Sequence, residues 1–145
     1  MKFDILIKGG TIIDGTGRPG YRGNVAISGD RIVAVGDVDG AATRTINAEG
    51  HLVTPGFVDI HTHLDAQITW DPIASSSCWH GVTSVVMGNC GVTFAPCKEA
   101  DRDYLARLME SVEDVPAKSI LAGMPWTWEH YSEYLTVLDG LPKGI

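Results

Sequence analysis

Over its first fifty residues the chain alternates apolar and polar positions in short bursts. Phe3, Ile5 and Ile7 alternate with polar neighbours, and Thr11-Ile12-Ile13 follows after Gly9-Gly10. A period of two places successive side chains on opposite faces of a strand, so each burst reads as a half-buried β-strand. Asn24-Val25-Ala26-Ile27-Ser28 and Arg31-Ile32-Val33-Ala34-Val35 flank Gly29-Asp30. That two-residue link predicts a hairpin, because glycine takes the positive φ that the primed turns require. Arg44 to Ala48 adds a strand before Glu49-Gly50. Residues 1–54 are therefore expected to form an antiparallel β module.

The pattern changes at Thr54-Pro55-Gly56. Phe57-Val58-Asp59-Ile60 and Val82 to Met87 are near-continuous β-type runs, which suit a parallel sheet covered on both faces. Lys98 to Glu113 carries Tyr104, Leu105, Leu108 and Val112 at helical spacing, starting at Asp101-Arg102-Asp103. Trp126 to Leu138 repeats the pattern through Trp128, Tyr131, Tyr134, Leu135 and Leu138. Between them, Ser119 to Gly123 reads as a third strand. Strand, turn, strand, helix, strand, helix predicts an α/β fold for residues 55–145.

Composition narrows the functional classes. The chain has 145 residues, 44% of them hydrophobic, enough to bury a core and to exclude wholesale disorder. Lys+Arg 11 against Asp+Glu 18 leaves a net charge of −7. With no basic cluster to contact phosphates, a nucleic-acid partner is not expected. Nor is a membrane: no run approaches the roughly 20 apolar residues of a spanning helix. The apolar stretch at Met1–Lys8 is too short for a signal peptide. Cys78, Cys90 and Cys97 are an odd set of three, which points to reduced thiols in the cytoplasm.

The candidate chemistry lies in Ile60-His61-Thr62-His63-Leu64-Asp65. On a strand, positions i and i+2 share a face, with Cα atoms about 7 Å apart. His61 and His63 can thus converge on one ion; the alternative is a surface pair on an edge strand. Cys90 follows the second strand in Gly88-Asn89-Cys90-Gly91. If the two strands are parallel neighbours, it lies at the same end as the histidines. Two imidazoles and a thiolate suit Zn²⁺, whereas a free cysteine more often simply packs. Asp65 could orient a ligand histidine or cap the turn. Cys78 and Cys97 read as packing residues, His80 as a turn residue at the far end of the sheet, and His51 as a linker residue without a partner. His130 reads as a solvated helical residue beside Glu129, and Trp126 and Trp128 as packing.

Pro55-Gly56-Phe57-Val58-Asp59-Ile60-His61-Thr62-His63 resembles the opening signature of the amidohydrolase superfamily. Ser77 to Val92, which includes Gly88-Asn89-Cys90-Gly91, is similar to the N-acyl-D-amino-acid deacylases, as are Met124-Pro125-Trp126-Thr127-Trp128-Glu129 and Tyr134-Leu135. The resemblance covers essentially the whole chain. It implies a (β/α)8 barrel carrying a β-sandwich. Residues 1–54 would be the N-terminal part of the sandwich, and 55–145 the first two or three βα units. His61, His63 and Cys90 fall on the family's metal ligands, with Cys90 where dihydroorotase-like relatives use a bridging lysine. Asp65 and Asn89 would support them from behind. One tight Zn²⁺ site and a second, weaker one are implied. The substrate would be a small N-acyl-D-amino acid, hydrolysed at its amide bond.

A barrel of this kind needs about 250 residues, and residues 55–145 supply about a third. The general-base aspartate and two further histidines are expected in the remainder of the same polypeptide. The 145-residue chain is then an incomplete, inactive segment. A cyclic-amidase or dihydroorotase-like hydrolase, or a non-catalytic remnant acting as a scaffold piece, are the competing readings.

Overall fold

The structure is a computed structural model that describes residues 2–145. It divides into two units, Met1–Pro55 and Gly56–Ile145. The first is built around β1 (Lys2–Ile12), an eleven-residue strand paired antiparallel with β2 (Tyr21–Ser28). β2 in turn pairs antiparallel with β3 (Arg31–Gly36) across the Gly29-Asp30 turn, with Ser28 opposite Arg31. On the other side of β1 lie β4 (Ala41–Asn47) and β5 (Leu52–Val53), both parallel to it. The sheet order is β3-β2-β1-β4, with β5 also on β1.

Two expectations for this unit are corrected. The sheet is mixed, not antiparallel. The turn chemistry of Gly29-Asp30 sets a local pair, but β4 skips its sequence neighbour β3 and pairs with β1. Nothing in a local alternation pattern encodes that long-range choice. Thr11-Ile12 is also not a separate strand. Gly9-Gly10 forms a bulge within β1, where the register against β2 shifts between Ile7 and Gly10, and the Gly9 amide donates to Asn24 Oδ1 (2.8 Å). The core of the unit is Leu6, Ile12, Val25, Ala26 and Ala48.

In the second unit, β6 (Phe57–Thr62) and β7 (Val82–Met87) form a parallel pair. Phe57 stands opposite Val82 and Thr62 opposite Met87, so both strands end at the same edge. α1 (Leu64–Gln67) and α2 (Ser75–Trp79) occupy the connection between them. After β7 come residues 88–98, a short 3₁₀ turn at Glu99–Asp101, and α3 (Arg102–Glu113), α4 (Ala117–Gly123) and α5 (Tyr131–Asp139). The architecture of the unit is α/β. No helix among the described residues is long and apolar enough to cross a membrane.

The third strand expected at Ser119–Gly123 is instead α4. Short apolar runs fit a strand or a buried helix equally well. Here Ala117 and Ile120, three apart, turn one face into the core. The helix expected from Trp126 begins only at Tyr131. Trp126 has φ +50°, outside the helical region, so residues 124–130 run irregularly. His130 is therefore not helical: it precedes the first turn of α5, where the Glu129 and His130 amides donate to Glu133 Oε2 (2.8 and 2.9 Å). Those bonds hold the Glu133 carboxyl below its ordinary range.

The core of this unit lies among the helices. Ala106 and Met109 of α3, Ala117 and Ile120 of α4, and Tyr134 of α5 close around Phe94 and Trp128 from the connecting segments. Trp128 is buried, with its indole N–H donating to Phe94 O (2.7 Å). Phe57, Val58 and Ile60 on β6 are exposed.

Candidate metal centre

His61 lies on β6, and His63 stands directly after the strand's last residue, Thr62, at the start of α1. Thr62 is buried, and its hydroxyl donates to Val86 O on β7 (3.0 Å), which locks the end of β6 to its neighbour. The His61 and His63 ring centroids are 5.7 Å apart. The His61 amide donates to Asp59 Oδ1 (3.2 Å).

Beyond β7 the chain reverses through Gly88-Asn89-Cys90-Gly91. Gly88 and Gly91 have φ of +74° and +89°, a conformation that L side chains rarely adopt. This double bend brings Cys90 Sγ to 3.2 Å from His63 Nε2 and 3.7 Å from Nδ1. One donor atom from each of His61, His63 and Cys90 lies within 4.8 Å of the other two. Asn89 Nδ2 donates to Ile60 O, tying the bend to the strand that carries His61 and leads into His63.

Asp65 is 1% exposed. Its Oδ2 accepts from the Phe94 amide (2.7 Å) and the Thr93 hydroxyl (3.1 Å), while Oδ1 is buried without a partner among the described residues. The carboxylate thus reaches the segment after Cys90, and among the described residues it bonds no histidine. Burial pushes its carboxyl above the usual range, and the bonds from Phe94 and Thr93 offset part of that rise.

A residue missed at the sequence level is Glu113, the last of α3, whose Oε1 lies 3.5 Å from His63 Nε2. Fifty residues separate the two in sequence, so only the return of α3 over the end of β6 reveals the contact. Beside the histidines opens a cleft of about 740 Å³, lined by Asp59, Gln67, Trp70 and Glu113 among others.

The remaining candidates lie outside this cluster. His80 follows α2 directly, before β7, with Nδ1 bonded to Ser76 O (2.6 Å). His51 Nδ1 bonds Glu49 O (3.1 Å). Cys97 is buried and Cys78 half-buried.

Residues 44–144 match the model of the amidohydrolase family. The chain belongs to the amidohydrolase family. It is 35% identical to the D-aminoacylase of Alcaligenes xylosoxydans xylosoxydans over 144 residues, covering 99% of this chain and 28% of that protein. The N-acyl-D-glutamate deacylase of the same organism is 46% identical over 96 residues, 66% of this chain and 20% of the relative. Among solved structures, a D-aminoacylase superposes with a TM-score of 0.75 at 37% identity, over 94% of this chain and 27% of the other. An N-acyl-D-glutamate deacylase from Bordetella bronchiseptica, complexed with zinc and a phosphonate inhibitor, gives 0.75 at 33% identity, over 97% and 27%. The chain thus spans about a quarter of the length of the relatives it matches.

Proposed function

We propose that this chain supplies one side of the metal site of a hydrolase that cleaves the amide bond of N-acyl-D-amino acids. The observation that carries the reading is the convergence of His61, His63 and Cys90 within 4.8 Å. Zinc bonds of about 2.3 Å to sulfur and 2.0–2.1 Å to nitrogen, set tetrahedrally, imply an S···N edge of about 3.6 Å. The 3.2 Å between Cys90 Sγ and His63 Nε2 needs only a small opening to admit the ion. Two imidazoles and one thiolate suit Zn²⁺ by softness. A zinc ion bound there would polarise an acyl carbonyl and acidify a water.

The chain's own residues have definable tasks. His61 presents its ring from β6 and His63 from the position just beyond it, and Thr62 holds that strand end in register. Gly88 and Gly91 allow the bend that delivers Cys90, and Asn89 anchors it to β6. The neighbouring cleft has room for a small acylated amino acid. The substrate class is suggested by the D-aminoacylase and N-acyl-D-glutamate deacylase relatives. The same proposal takes residues 1–54 as part of a β-sandwich and 55–145 as the opening units of a (β/α)8 barrel, in a cytoplasmic enzyme. The two further histidines and the general-base aspartate would come from the region of the relatives that this chain does not span. The 145-residue chain is then expected to bind metal without turnover.

Zinc content after dialysis, with calorimetric titration, tests the reading. One Zn²⁺ per chain is expected, lost in Cys90→Ala and in His63→Ala. Unchanged zinc content in both variants would overturn it.

A further inference from the structure

We infer that Asp65 is a positioning residue: its carboxylate fixes the Cys90 bend against the strand end that carries His63. This rests on the metal-site reading above and specifies how the two halves of that site are held together. Asp65 follows His63 by two residues, while Thr93 and Phe94 follow Cys90 by three and four. One carboxylate oxygen joins the two segments through the Phe94 amide (2.7 Å) and the Thr93 hydroxyl (3.1 Å).

Both anchor points are themselves immobilised. On the Asp65 side, the Tyr134 hydroxyl donates to Asp65 O (2.9 Å). On the loop side, Phe94 is fully buried and its carbonyl accepts from Trp128 Nε1 (2.7 Å). Thr93 Oγ1 also accepts from the Ala95 amide (3.2 Å). Residues 88–98 have no regular secondary structure, so no backbone ladder holds Cys90 in place. The bond from Asn89 to Ile60 O fixes the near side of the bend, and Asp65 fixes the far side. Burying a carboxylate with one oxygen unpaired is unfavourable. What it secures is a constant offset between the His63 and Cys90 backbones.

Cobalt(II) is the probe, because a thiolate-to-cobalt charge-transfer band reports Cys90 directly and needs no turnover. Asp65→Ala should weaken Co²⁺ binding by about 10–100-fold, the usual effect of removing a group that supports ligands, and should dim the band. Asp65→Asn should recover most of the affinity, because its amide oxygen can take the place of Oδ2 and accept from both the Phe94 N–H and the Thr93 hydroxyl. Ile120→Ala, a truncation in the same core, should lower stability and leave Co²⁺ affinity within twofold. The inference is overturned if Asp65→Ala binds within twofold of wild type, if Asp65→Asn is as weak as Asp65→Ala, or if Ile120→Ala weakens binding equally. A wild-type chain with no thiolate band would instead defeat the metal reading, and this inference with it. Should Asp65→Ala fail to fold, the wild type carries the test. Saturating Zn²⁺ should then slow exchange of the Phe94 amide, and an unchanged rate would refute the coupling.

Discussion

Trp128→Phe should destabilise the helical unit by about 2–4 kcal/mol, and the structure divides that loss into two parts. Trp128 is 2% exposed, and its indole N–H is the hydrogen-bond donor to the carbonyl of Phe94, a fully buried residue. Phenylalanine cannot donate, and leaving a buried acceptor unpaired costs about 1–3 kcal/mol. The smaller ring also vacates about 40 Å³, worth about 1 kcal/mol at ~24 cal/mol per Å³ of cavity. The edge contact with Tyr134, at 5.0 Å between centroids, persists with a phenyl ring and offsets little. Against a typical total of about 5–15 kcal/mol, the loss is readily measured. Urea unfolding followed by circular dichroism at the helical minimum reads this unit, since α1 to α5 all lie within Gly56–Ile145. The midpoint should fall with an unchanged slope. Trp126→Phe is the internal control: Trp126 is half-buried, and its indole donates to Leu121 O at 3.1 Å, where water can substitute. A loss below about 1 kcal/mol for Trp128→Phe, or an equal loss for Trp126→Phe, would refute the assignment of the cost to a buried orphan carbonyl.

Three further outcomes follow from particular contacts. A Cβ on Gly56 would overlap the Thr83 side chain, so Gly56→Ala should cost about 1–3 kcal/mol as overpacking. Adding Thr83→Ala should restore part of that loss, and a purely additive double variant would exclude the clash. Burial, and then the neighbouring Asp65 carboxylate, push the Tyr134 phenol well above its usual range. The unfolded chain releases that proton from about pH 10 while the folded chain retains it, so the stabilising contribution is complete below that pH and is lost as pH rises beyond it. Urea midpoints between pH 8 and 11 should show this decline and should flatten in Tyr134→Phe. Glu113 is 42% exposed and 3.5 Å from His63 Nε2, so screening limits its effect. Glu113→Gln should change Zn²⁺ affinity by less than about fivefold; a hundredfold loss would make Glu113 a ligand.

Much of this architecture could be read locally. The Gly29-Asp30 hairpin, the paired strands β6 and β7, and α3 each announce themselves in a few consecutive residues, through turn chemistry, β-type runs or helical period. The same holds for the candidate ligands. His61 lies on a strand and His63 directly after it, and Cys90 follows the next strand between two glycines. Parallel pairing of β6 with β7, with Thr62 opposite Met87, then suffices to bring them to one edge.

Other features depend on partners distant in the chain. Ser119–Gly123 carries no decisive period of its own. The common face of Ala117 and Ile120, packed with Met109 and Phe94, makes it a helix. The turn at Trp126 is invisible in an aromatic spacing that imitates a helix. β4 lies beside β1 and not β3, because pairing across more than thirty residues is settled by the packing of the whole sheet. The roles of Asp65 and Glu113 arise the same way: hydrogen bonds and close contacts act through space, and the residues that complete them stand 29 and 50 positions from Asp65 and His63. For β6, β7 and α3, short-range sterics and periodicity dictated the element and which side chains face together. Long-range burial, which no window of sequence contains, decided how the elements close around the site.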